Sequence, residues 1–143
     1  MEGFMRFWFD ENMFGTYKEC ATGAQGRYDF TCRALAQVLD LVKTKTAQIS
    51  GVVKMGDRQA PLSGTLFMDL FFAKRLTYDF EFSLDGQKYR FVGDKRIKFL
   101  DFLRTMTTLI GRIDRDGERF ADVESHFRLR ELLKFLSSFR VSL

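Results

Sequence analysis

Residues 74–95 read KRLTYDFEFSLDGQKYRFVGDK, and the fold is decided by this stretch. Leu76, Tyr78, Phe80, Phe82 and Leu84 occupy every second position, with Thr77, Asp79, Glu81 and Ser83 between them. A period of two puts the apolar set on one face of a strand and the polar set on the other. Asp85-Gly86 follows, a dipeptide suited to the two-residue hairpin turn in which both residues take positive φ. With the turn there, Leu84 faces Gln87, Phe82 faces Tyr89, Phe80 faces Phe91 and Tyr78 faces Gly93. The rings then share one face, while Glu81 lies opposite Arg90 and Ser83 opposite Lys88 on the other. A slip of one residue would turn every ring to the wrong side.

Around this hairpin the chain reads as a succession of strands. Residues 1–9 (MEGFMRFWF) form an aromatic strand, apolar on both faces. Residues 10–27, with Gly15, Gly23 and Gly26 among small polar side chains, read as a long loop of the kind that serves as a lid or binding loop. A strand near 28–36 and a short helical turn to Val42 follow. Residues 46–55 and 62–72 alternate as strands with internal Gly51 and Gly64, and internal glycines are the means by which curved sheets turn corners. Residues 94–102 read as a basic connection containing a helical turn. Residues 105–113 form a strand, DRDG at 114–117 a second hairpin turn, and 120–127 its partner. Leu129, Leu132, Leu133 and Leu136 fall on one face of a short C-terminal helix, and 137–143 close as a final strand. The expectation is one mainly β domain over residues 1–143: an antiparallel meander of about eight strands, closed as a lipocalin-like β-barrel. An open sheet covered by the C-terminal helix is the alternative.

Composition bounds the function. Apolar residues make up 45% of the 143 residues and 17 are Phe, enough for a sizeable core and too many for a disordered chain. The net charge of +4 is scattered rather than blocked, and the best hairpin separates rings from charges, so no nucleic-acid partner is expected. No apolar run reaches the ~18 residues of a membrane span, and no secretory signal is seen, so the expected localisation is cytoplasmic, with Cys20 and Cys32 as free thiols. His126 is the sole histidine, which rules out a metal site built on several histidines within one chain. Cys20 and Cys32 lack the paired spacing of a structural zinc site, although either could form a dyad with His126. Asp114 and Asp116 begin like a calcium loop, without the downstream glutamate that such a loop needs. No phosphate-binding glycine loop or nucleophile elbow occurs. No catalytic residue, metal or cofactor is therefore expected. Asp69, between Met68 and Leu70, is the carboxylate that looks out of place; if inward, it would need a partner such as Arg6, Tyr78 or Arg96.

Several stretches resemble the small β domain that accompanies bacterial glucose–methanol–choline flavin oxidoreductases of the cholesterol-oxidase kind. They are AQISG at 47–51, PLSGTLFMDLF at 61–71, residues 78–93 with Lys95, TMTTL at 105–109 and the tail 129–141, with a fainter match in MEGF at 1–4. The resemblance implies a bacterial, barrel-like accessory domain beside an oxidoreductase. It carries over no flavin chemistry, since no GxGxxG follows a strand.

Two roles fit. The first is binding of an apolar small molecule or lipid in a barrel lined by Trp8, Met68, Tyr78, Phe80, Phe82, Tyr89, Phe91 and Met106, where flexible methionine among rings suits an adaptable site. The second is protein–protein interaction, docking a partner oxidoreductase or forming a homo-oligomer. A barrel enzyme of the isomerase or cyclase kind comes third.

Overall fold

The computed structural model describes residues 5–69, 72–98, 108–126 and 140–142. In chain order the elements are β1 (Arg6–Glu19), β2 (Gln25–Gln37), α1 (Val38–Thr44), β3 (Thr46–Met55), β4 (Arg58–Asp69), β5 (Arg75–Leu84), β6 (Gln87–Arg96), β7 (Thr108–Arg115), β8 (Glu118–His126) and β9 (Arg140–Ser142). Every strand pairing is antiparallel, and β2 through β8 lie side by side in sequence order. Strand β1 pairs with β8 along one edge and with β2 along the other, so the eight-stranded meander closes into a barrel and the open sheet is excluded.

The central hairpin takes the register that its parity requires: Leu84 pairs with Gln87, Phe82 with Tyr89, Phe80 with Phe91 and Tyr78 with Gly93. Asp85 (φ 52°) and Gly86 (φ 78°) both have positive φ, as the turn demands. One detail differs. Arg90 lies opposite Glu81, but its guanidinium grips Asp79 with two hydrogen bonds of 2.9 and 2.6 Å. The diagonal neighbour lets the planar fork meet a carboxylate edge on, a geometry that strengthens the pair.

Residues 10–27 correct the sequence reading. They are not a long loop: they form most of β1 and the start of β2, paired continuously from Arg6 with Gln37 to Lys18 with Gln25. The inward positions of β1 are Phe9, Glu11, Met13, Gly15 and Tyr17, so a carboxylate and a glycine interrupt the apolar alternation without interrupting the strand. The helix found among the described residues lies between β2 and β3, and the basic connection begins later than expected because β6 runs to Arg96. Residues 129–136, read as the C-terminal helix, lie outside the described residues. So do 105–107 of the threonine-rich strand. Strand β9 falls within the expected final strand and pairs with Arg6, Phe7 and Trp8 of β1.

Two glycines allow the wall to curve. A β-carbon on Gly51 would sit 1.9 Å from the Thr31 carbonyl oxygen, and one on Gly64 would sit 2.0 Å from that of Asp79. Both are backbone contacts, so the adjacent strands approach as closely as they do only because no side chain intervenes.

The size of the inward side chains changes along the barrel. Toward the hairpin turns, rings pack on one another: Phe80 on Phe91 at 5.0 Å, Phe30 on Phe80 at 5.2 Å, and Phe82 stacked on Tyr89 at 5.2 Å. Toward the other end the buried strand residues include Ala34, Ala36, Ala47, Ile49, Leu66 and Leu76. The outward positions carry charges such as Arg33, Lys54, Glu81, Arg90 and Asp122, opposite in sense to a barrel that faces lipid.

Candidate functional site

The chemistry of the barrel sits at the boundary between these two halves. Glu11 projects inward from β1, Tyr78 from β5 and Lys95 from β6. The Glu11 and Lys95 side chains are both 0% exposed. Lys95 Nζ donates to Glu11 Oε1 at 2.7 Å, and the Tyr78 hydroxyl donates to the same oxygen in a short hydrogen bond. Lys95 Nζ also lies 5.2 Å from the centre of the Tyr78 ring, within range of a cation–π attraction. The two contacts to Glu11 span 67 and 84 residues of sequence, so only barrel closure brings the three groups together.

Burying an ion pair is expensive unless its remaining hydrogen-bonding capacity is met. Here it is not met. Glu11 Oε2 is buried and, among the described residues, has no hydrogen-bond partner. Ser125 Oγ, opposite Gly15, is also buried and without one among the described residues. The backbone around Glu11 is unusual as well. On the β8 side, β1 pairs with β8 from Phe14 to Glu19 and with β9 from Arg6 to Trp8. Residues 9–13 are therefore paired along the β2 edge only, among the described residues, and Glu11 lies at the middle of that interval.

Burial and charge set the proton affinities nearby. Burial pushes the Tyr78 hydroxyl well above the ordinary tyrosine range, and the Glu11 carboxylate pushes it further. The phenol therefore keeps its proton and remains a donor. Cys32 is opposite Glu11 in the β1–β2 register, and its thiol is raised by burial first and by Glu11 second, with Lys95 opposing. Such a thiol is a poor nucleophile. Cys20 is exposed, and neither cysteine is in a disulfide.

The residues singled out from sequence are distributed as follows. Tyr78, Phe80, Phe82, Tyr89 and Phe91 are all buried in the interior, and the rings form the packed cluster described above. Met68 is partly buried against the core. Trp8 alternates with inward Phe9 and Glu11, on the other face of β1, and is half-buried. Met106 lies outside the described residues. Asp69 is buried, and its Oδ1 accepts from the Phe72 backbone N–H at 3.0 Å. His126 is on the surface, its Nε2 3.3 Å from Glu124.

Sequence reading missed Glu11 and Lys95. Both were signalled by parity: Glu11 lies between Phe9 and Met13, and Lys95 continues the Tyr89, Phe91, Gly93 series. A charged residue on the apolar parity of a strand is the sign of a built polar site inside a barrel.

A second concavity lies on the outside. It is a groove of about 570 Å³ lined by Arg6, Leu35, Gln37, Asp40, Thr44 and Gln48, among others. Beside it Leu35, Leu39 and Val42 are exposed, and the Lys45 ammonium lies 5.8 Å from the ring of exposed Phe72. Among the described residues no helix is long and apolar enough to cross a membrane. No protein-family model, no curated protein and no solved structure matches this chain.

Proposed function

We propose that the protein binds a small, mainly apolar molecule inside the barrel, using the half opposite the hairpin turns, in the way lipocalin-like barrels of eight strands hold one ligand. The observation that carries this reading is the buried Glu11–Tyr78–Lys95 group, with a carboxylate oxygen left over, inside a mainly apolar interior. Ligand sites combine apolar walls with a few convergent polar groups, and this combination is what the barrel offers. The ring cluster forms a floor. The smaller side chains Ala34, Ala36 and Ala47 take up less of the other half than rings would, and Leu66, Leu76 and Met68 supply further apolar surface. No bond-making step is assigned: Lys95 is engaged by Glu11, and Cys32 is held as a thiol.

Ligand-dependent melting tests the proposal. A ligand at 100 times its dissociation constant stabilises a protein by about 2.7 kcal/mol, which raises Tm by several degrees in a domain of this size. A panel of fatty acids, sterols and terpenoids should contain members that do so. A panel that leaves melting unmoved throughout would sink the reading.

The exposed apolar side chains beside the outer groove favour a second reading, in which this surface docks another protein. The resemblance to the small domain of bacterial flavin oxidoreductases would make an oxidoreductase the partner, with self-association as the other form. A pull-down or sedimentation shift abolished by Leu39→Glu, with ligand binding intact, is the expected result for this role.

A further inference from the structure

We infer that the ligand's polar group is a neutral hydrogen-bond donor, a hydroxyl, and that it is received by Glu11 Oε2. The ligand class is thus an apolar alcohol rather than a fatty acid or a plain hydrocarbon. The inference rests on the barrel-binding reading and refines it.

It follows from counting donors and charges. An ionised carboxylate only accepts hydrogen bonds. Oε1 of Glu11 already receives two, from Tyr78 and Lys95, while Oε2 receives none from the described residues. A buried acceptor without a donor costs stability, and a ligand that supplies the donor recovers it. A ligand ether, ketone or alkane brings no donor and leaves the oxygen as it was. A ligand carboxylate would place a second negative charge beside Oε2, at a site where Lys95 already neutralises the first. An ammonium would carry a full positive charge into a buried setting, where such a charge is costly. A hydroxyl satisfies the oxygen and changes no charge. The Tyr78 phenol cannot take this role for itself, because its proton is already committed to Oε1.

The test is a matched series on two skeletons, with affinities measured by calorimetry on the full chain: decanol, decyl methyl ether and decanoate, then menthol, its methyl ether and the corresponding carboxylate. On at least one skeleton the alcohol should bind about 10- to 100-fold tighter than its ether, the ratio corresponding to a hydrogen bond to a charged group. The carboxylate should be weaker than the alcohol. In Glu11→Gln the alcohol-to-ether ratio should shrink to about threefold or less, because the amide nitrogen or oxygen no longer presents an ionised acceptor. The unmodified protein alone decides the matter if that variant fails to fold. Equal affinity for alcohol, ether and carboxylate would overturn the hydroxyl assignment and leave the barrel as a plain apolar site. Tightest binding of the carboxylate would overturn it in favour of Lys95 as anchor. Binding of none of the six would overturn the barrel reading along with it.

Discussion

Replacing Lys95 by Met removes the charge from a fully buried ion pair while keeping a long apolar side chain. Its effect can be worked from the geometry. At 2.7 Å, and with an effective dielectric constant of about 20, the attraction between Glu11 and Lys95 is about 6 kcal/mol. Desolvation costs several kcal/mol for each ion, so the intact pair contributes little net stability. Without Lys95 the Glu11 carboxylate keeps its own desolvation penalty and, among the described residues, retains only the Tyr78 hydroxyl. The expected loss is about 3–5 kcal/mol. Urea unfolding should show this as a midpoint lowered by about 2 M if the slope is near 2 kcal/mol/M. The combined variant Glu11→Leu, Tyr78→Phe, Lys95→Met removes all three polar groups together. It should unfold within about 1 kcal/mol of the original or be more stable, because the ion pair and its orphaned carboxylate oxygen are then replaced by apolar groups. The non-additivity between single and triple substitution is the diagnostic quantity. A Lys95→Met midpoint within the error of the original, or a triple variant as unstable as the sum of its parts, would refute the reasoning.

Other outcomes follow from individual residues. Gly86→Val should cost about 1–3 kcal/mol from the positive φ alone, since no atom lies near its β-carbon position; an unchanged urea midpoint would contradict the turn assignment. Tyr28→Phe should stabilise the fold by about 1 kcal/mol or more, because the Tyr28 hydroxyl is buried without a partner among the described residues, and a lower Tm would show that the hydroxyl is satisfied after all. Burial raises both Tyr28 and Tyr78 above their ordinary range, so the folded protein holds protons that the unfolded chain loses above about pH 10. Stability should therefore be fully present below that pH and fall as pH rises through it, with a smaller fall in Tyr28→Phe; a flat profile from pH 9 to about 11 in chemical denaturation would contradict this.

The parts of the fold that were legible in sequence are those where inward residues were uniformly apolar. In β5 and β6 the parity of Tyr78, Phe80 and Phe82 against Tyr89 and Phe91, with Asp85-Gly86 between, set the register to the residue. In β2 the run Tyr28, Phe30, Cys32, Ala34 was likewise intact. Strand β1 was read as far as Phe9 and concealed beyond it, because Glu11 and Gly15 hold inward positions and pattern reading treats a carboxylate there as evidence of solvent. The residue that makes the interior chemically interesting is thus the one that hid its strand. Lys95 was placed in the basic connection for a related reason: its inward parity matters only once β6 is known to extend to Arg96. Nothing local pairs residues 84 positions apart, so the ion pair became visible only with closure of the barrel. The positions named from sequence as ligand-lining were chosen for their rings and for flexible methionine, and five of the rings lie together inside the barrel. Of the polar group that would orient a ligand, Tyr78 was among the residues named, while Glu11 fell in the expected loop and Lys95 in the expected basic connection.

The most direct measurement is a set of intermolecular NOEs between a bound, unlabelled alcohol from the decanol and menthol series and protein carrying labelled Ala, Ile, Leu and Val methyl groups. Ligand inside the barrel should give contacts to Ala34, Ala47, Ile49 and Leu76, which are all buried on the inner face. Contacts confined to Leu35, Leu39 and Val42, which are exposed on the outside, would place the ligand in the outer groove and contradict an interior site.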